Sequence, residues 1–316
     1  MGLVRTAGRV AGLGALLGGA VTSYAHWEAR QYTLRRYEVA VLPPGMRPLK
    51  VLHLSDLHMV PGQRRKQEWV RDLASLHPDL VIDTGDNLAH RDAVWPVLES
   101  LDALLDVPGV FVHGSNDYFE PGLRNPFAYL LPDDGRRHTD VPELPWRDLS
   151  AGLGAAGWLD LTNRRGTLTV GEATLAFAGV DDPHLGYDDL PAIAGPADPD
   201  ADLRIGVTHA PYLRVLDQLA ADGYEAIVAG HTHGGQVCLP WPGGRALTTN
   251  CDLEPARARG LHRHPADSRP GDPGSAALHV SAGLGTNPYL RMRIACRPEA
   301  SLLTLVPRER DTEAVR

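Results

Sequence analysis

The chain has 316 residues, with 31 Lys and Arg against 39 Asp and Glu, for a formal net charge of −8. With 43% hydrophobic and 22% charged residues it has the composition of a soluble globular protein, which excludes a disordered chain and a polytopic membrane protein. The acidic balance gives no electrostatic basis for general nucleic-acid binding. The counts of 33 Gly and 26 Pro imply many loops, and the length allows one large α/β domain or two. Cys238, Cys251 and Cys296 are odd in number and form no CxxC pair, so neither a disulfide framework nor a Cys-based zinc site is expected.

Arg5 and Arg9 precede an uncharged run from Val10 to Ala25. That run is shorter than the roughly 20 apolar residues of a membrane span, and fits a signal peptide, a signal anchor or a helix lying on a surface. Trp27 to Arg36 mixes aromatic and basic side chains, which suits an interfacial position or an ordinary helix surface. Leu49 to Leu54 is a short apolar run that reads as a buried strand, followed at once by Ser55-Asp56. The spacing predicts helices over Gln67–Leu76 and Val94–Leu105, and further strands at Asp79–Asp83 and Val110–Val112. This alternation implies a parallel sheet with helices packed on it.

Asp133 to Pro145 reads as a polar surface excursion and Pro255 to Gly274 as a mobile loop. Strands are expected at Thr167–Val170, Thr174–Val180, Leu203–Val207, Ala226–Val228, Leu278–Val280 and Leu302–Leu305. The recurrent event is an apolar strand that ends in Asp, His or Asn. In α/β folds ligands bind outside the carboxyl ends of parallel strands, so five such ends should converge.

Those ends carry Asp56-x-His58, Gly85-Asp86-Asn87, Gly114-Ser115-Asn116-Asp117, His209 and Gly230-His231-Thr232-His233. Carboxylates, a carboxamide and imidazoles form a mixed O/N donor set that suits Mn²⁺, Fe or Zn²⁺ better than Ca²⁺. Most other histidines, among them His26, His53, His77, His90, His138, His262, His264 and His279, read as surface or packed imidazoles. The run Arg64-Arg65-Lys66 reads as a solvated charge cluster, with contact to a phosphate or anionic headgroup as its alternative. No G-x-S-x-G elbow or P-loop lysine motif is present.

In this order the motifs resemble the calcineurin-like metallophosphoesterase family, over about Leu49 to Leu305. The stretch Gly230–Gln236 is similar to the bacterial branch that includes membrane-associated phosphoesterases and relatives of lipid-linked pyrophosphatases. The resemblance implies a four-layer α/β/β/α sandwich with a dimetal site at the strand C-terminal ends. The metallophosphoesterase domain is expected at 49–307, after an N-terminal apolar segment and linker at 1–48 and before a polar tail at 308–316. By position, Asp56, His58 and His233 would hold one cation and Asn116, His209 and His231 the other, with Asp86 bridging. Two divalent ions so held can activate a bridging water for attack on a phosphoester or pyrophosphate bond.

One departure stands out. Where the family has G-N-H-D, this chain has Gly114-Ser115-Asn116-Asp117, and the histidine is missing. Alignment on Gly114 and Asp117 puts Ser115 at the ligand Asn; alignment on Gly109 keeps Asn116 as ligand, which its carboxamide oxygen favours. Loss of a general acid typically costs roughly 10²–10⁴ in rate. Asp117 and His184 are the candidate replacements. The expected function is therefore a metal-dependent phosphoesterase acting on a phosphate-containing small molecule or lipid, membrane-associated or cytoplasmic. The alternative is a metal-binding protein of impaired catalysis that acts as a scaffold.

Overall fold

A computed structural model describes residues 16, 18–122, 135–137, 139–240 and 244–309. The first part of the apolar run, His138, two residues of the polar excursion and most of the C-terminal tail lie outside the described residues.

Two six-stranded sheets face each other. The first runs, in spatial order, β1 (Thr33–Leu42), β14 (Glu299–Pro307), β2 (Leu49–Leu54), β3 (Leu80–Asp83), β4 (Gly109–Phe111) and β5 (Leu159–Asp160). The second runs β12 (Gly260–His264), β13 (Ala276–Val280), β9 (Ala226–Ala229), β8 (Leu203–Thr208), β7 (Ala173–Gly179) and β6 (Arg164–Val170). Strands β2 to β5 are mutually parallel, as are β7, β8, β9 and β13.

Successive strand residues point to opposite faces, and the burial follows that period. Val51, Ile82 and Val110 meet Phe177, Ile205 and Val228 in the layer between the sheets. Their neighbours Leu52, Val81 and Phe111 face outward and are covered by α2 (Arg64–Asp72), α3 (Val94–Leu101) and α5 (Trp146–Ala155), through Val70, Val97 and Leu149. On the other side α7 (Leu213–Ala221) packs Val215, Leu216 and Leu219 against Ile227 and Leu278. The result is the expected α/β/β/α sandwich, with parallel strands buried on both faces. Truncating a central side chain such as Phe177 to Ala would cost about 3–5 kcal/mol.

His53 and His279 lie in the layer between the sheets, their Nδ1 atoms 2.9 Å apart, and burial lowers the pKa of both. They are packed, as expected. Two expectations change. Thr33–Leu42, placed in an N-terminal linker by sequence, is strand β1, paired in parallel with β14 from Thr33↔Glu299 onward. Pro255–Gly274, expected to be a mobile loop, contains edge strand β12, which pairs antiparallel with β13 from Gly260↔Val280 to His264↔Ala276. Both are edge strands with polar, half-exposed faces, where the apolar signal is weak.

Candidate metal centre

The carboxyl ends of β2, β3, β4, β8 and β9 open on one site, and β2, β3 and β9 leave their sheets through strained, left-handed turns. Asp56 and His58 follow β2 at φ 51° and 41°, Asp86 follows β3 at 57°, and His231 and His233 follow β9 at 68° and 49°. Asp and His tolerate this left-handed backbone better than most residues, at a cost of roughly 1 kcal/mol or more each. The turns interlock: Asp56 N–H donates to the Gly85 carbonyl at 2.8 Å and His58 N–H to the Asp86 carbonyl at 2.9 Å.

The first half of the site is dense. Asp56, His58, Asp86 and His233 each bring a ligand atom within 4.8 Å of the others. His58 Nε2 lies 3.2 Å from His233 Nε2 and 3.4 Å from Asp86 Oδ2. Asp56 Oδ2 accepts from the Ser55 hydroxyl at 2.5 Å and from His231 N–H at 3.1 Å. Its Oδ1, 3.6 Å from His233 Nε2, is buried without a hydrogen-bond partner. A buried carboxylate oxygen left bare among imidazole nitrogens is a donor set that fits a divalent cation.

In the second half, Asp86 Oδ1 is 3.6 Å from His209 Nε2, which is 3.3 Å from His231 Nδ1. His209 Nδ1 faces the Thr84 carbonyl at 2.6 Å and His231 Nε2 faces the Asn250 carbonyl at 3.1 Å. Carbonyls only accept, so those ring nitrogens carry protons, and in the neutral rings the lone pairs are on His209 Nε2 and His231 Nδ1. Burial opposes a His209 cation, but Asp86, then Asp182 and Asp56, with the Thr84 carbonyl, raise its pKa to about 9. Burial holds His58 down to about 4 in spite of Asp86.

Asn116 lies against Asp86, donating from its backbone N–H to Oδ1 and from Nδ2 to Oδ2, both at 2.7 Å. A half-turn of the carboxamide exchanges its oxygen for its nitrogen at that place. Among the described residues the Ser115 hydroxyl meets only Asn116 Nδ2, at 3.4 Å. Asp117, a candidate acid by sequence, accepts the backbone N–H groups of Asp86, Asn87, Leu88 and Gly114 at 2.8–3.1 Å. Burial raises its pKa, but His113 and these donors outweigh that and lower it. His184 stands at the rim, its ring centroid 4.6 Å from that of His231, with Nδ1 3.2 Å from the Tyr212 hydroxyl.

Two supporting side chains escape the motif pattern. Arg293 is fully buried and donates to the carbonyls of Ala282, Gly283 and Gly285 at 2.7–3.1 Å and of His233 at 3.3 Å. It ties the loop after β9 to the loop after β13 without any carboxylate partner among the described residues. Lys66 is buried too, and its ammonium donates to the Leu57 carbonyl at 2.6 Å, inside the Asp56–His58 turn. Neither has a sequence signal, because each acts on backbone far away in the chain or hidden by a fold-dependent turn.

Residues 49–235 match the calcineurin-like phosphoesterase family, and the chain belongs to it. It is a metal-dependent phosphoesterase by family. The chain is 26% identical to the uncharacterised Bacillus subtilis protein YpbG, across 94% of this chain and 96% of that one. It is 27% identical to the UDP-2,3-diacylglucosamine pyrophosphatase LpxG of Chlamydia trachomatis, across 81% and 83% of the two chains. A solved archaeal phosphodiesterase covers 77% of this chain, and 87% of its own, at 14% identity and a TM-score of 0.35. The family uses a dinuclear divalent metal centre.

Proposed function

We propose that the chain hydrolyses a phosphoester or pyrophosphate bond with two divalent cations, Mn²⁺, Fe or Zn²⁺. Asp56, His58 and His233 would hold one, Asn116, His209 and His231 would hold the other, and Asp86 would serve both. The observation that carries this reading is the Asp86 carboxylate, with Oδ2 3.4 Å from His58 and Oδ1 3.6 Å from His209. Such a pair of cations, when bound, activates a water and neutralises charge on an in-line phosphoryl transition state. Asp117 positions the Asp86 turn. His184, whose ring lies 4.6 Å from that of His231, would give a proton to the leaving oxygen.

The substrate class is a lipid-linked or envelope phosphate, reached from a membrane surface. This draws on the substrate named for LpxG and on the apolar helix at 18–28. Among the described residues no helix is long and apolar enough to cross a membrane. The test is hydrolysis of p-nitrophenyl phosphate and bis-p-nitrophenyl phosphate with Mn²⁺. Nitrophenolate leaves without a proton, so a missing acid cannot mask a working site. Asp86-dependent turnover supports the reading, and its absence with metals bound supports a second one, a metal-binding scaffold, which rests on the histidine replaced in Gly114-Ser115-Asn116-Asp117.

A further inference from the structure

Beside the first half of the metal centre lies a cavity of about 340 Å³, lined by Arg30, Arg64, Arg65, Arg291, Tyr32 and Thr286. Its floor includes Gly285, whose backbone packs against the Asp56–His58 turn. The four guanidinium groups come from the end of the first helix, the start of α2 and the loop after β13. Only the fold brings them together. Lys66, the third member of the basic run in α2, also lines the cavity but is buried with its ammonium donating to the Leu57 carbonyl, whereas Arg64 and Arg65 are exposed. No carboxylate pairs with any of the four among the described residues. Tyr32 reports the field: burial raises its pKa, and Arg65, Arg30 and Arg291 pull against that rise. An unneutralised arginine cluster on a chain of net charge −8 selects an anion.

The surroundings select which anion. The helix at 18–28 is fastened at its end, where Glu28 accepts the N–H groups of Ala295 and Cys296 at 3.0 Å and the Ala25 carbonyl accepts from Arg293 N–H at 3.1 Å. Away from that clamp the helix faces solvent, with Val21 53%, Tyr24 47% and Trp27 51% exposed, and Leu16 before it is 73% exposed. Tyr24 and Trp27 are in ring contact at 5.9 Å, and the Arg297 guanidinium lies 5.9 Å from the Trp27 ring. Tyr289, just before Arg291, is exposed as well. A soluble anion requires none of this apolar surface. Aromatic and aliphatic side chains beside arginines are the composition of a face that enters the boundary of an anionic bilayer.

We infer that the Arg30, Arg64, Arg65 and Arg291 cavity, with the exposed helix at 18–28, binds the headgroup phosphates of an anionic lipid surface and sets the metal centre against it. This rests on the membrane-surface reading above and gives it residues.

The test is flotation of the full chain with vesicles of phosphatidylcholine alone or with about 30% phosphatidylglycerol. The wild type should bind the anionic vesicles at least ten-fold more tightly, with affinity falling as salt rises. The triple variant Arg30→Glu, Arg64→Glu, Arg65→Glu should lose that binding by roughly a hundred-fold while hydrolysing soluble nitrophenyl esters as before. The corresponding triple Gln variant should lie between. Equal binding to neutral vesicles, or binding kept by the Glu variant, overturns the inference. So does Arg-dependent binding of inorganic phosphate, measured by calorimetry without vesicles, at an affinity that accounts for the vesicle binding. Asp86→Ala separates the two readings, since it should abolish hydrolysis and leave flotation unchanged.

Discussion

The Asp117 carboxylate accepts the backbone N–H of Asp86 at 2.8 Å, and with its other contacts holds three successive N–H groups, those of Asp86, Asn87 and Leu88. A carboxylate so engaged fixes the left-handed Asp86 turn and has no proton to give. Asp117→Asn, which keeps one acceptor oxygen, should lower stability by about 1–3 kcal/mol and weaken metal retention. The pH dependence of hydrolysis should keep its shape. Loss of a limb of the pH profile would make Asp117 an acid instead. Asp117→His should lower turnover, since an imidazole cannot accept four N–H groups.

Arg293 predicts a larger stability effect. Its guanidinium satisfies carbonyls in two loops, which the Cys296 thiol and the Ile294 backbone also link. Arg293→Leu takes the guanidinium away from the buried Ala282 and Gly285 carbonyls, so unfolding in urea should show a loss of about 3–5 kcal/mol. Arg293→Lys, retaining the charge with fewer and less directed donors, should recover only part of it. A wild-type midpoint in the Leu variant would contradict the role.

Asp83 carries a pH signature. Burial, opposed by hydrogen bonds from Gly85 N–H and Asn87, pushes its carboxyl up from 3.8 to about 7, and its Oδ2 has no partner. A raised folded pKa gives stability that is complete below the unfolded value and is lost as pH rises through the folded one. Asp83→Asn removes that loss, so in chelator-treated protein it should raise the melting temperature at pH 8 and have little effect near pH 4. The shift corresponds to a ceiling of roughly 4 kcal/mol. A benefit that is largest in acid would reverse the sign and refute it.

Gly114 and Gly283 mark how closely the backbone approaches the ligands. A Cβ on Gly283 would come 2.5 Å from Asp56 Cβ, in a backbone at φ 65° that side chains avoid. Gly283→Ala should therefore displace Asp56 and reduce bound metal by about half, while Gly274→Ala, also left-handed but facing open surface, should cost stability alone.

Much of this was legible in the chain. Leu49–Leu54 and the strand ends at Asp56, Asp86 and His209 were readable because buried parallel strands are continuous apolar runs and the polar residue that ends each is abrupt. The helices over Gln67–Leu76 and Val94–Leu105 formed nearly as drawn, each closing in a short 3₁₀ turn. Strands β1 and β12 were not legible, since edge strands half exposed to water lack that contrast. The role of Asp117 was hidden for a different reason. Its partners are backbone N–H groups some 30 residues earlier, which carry no side-chain signature. Arg30, Arg64, Arg65 and Arg291 likewise share a cavity only after folding.

Metal content measured on purified wild-type chain and on Asp86→Ala after loading with Mn²⁺ tests the central claim most directly. The geometry around Asp86 predicts about two ions per wild-type chain and at most one, weakly held, in the variant, with hydrolysis of bis-p-nitrophenyl phosphate lost in parallel. Two ions retained by Asp86→Ala, or no more than one in the wild type, would contradict a shared carboxylate between two metal sites.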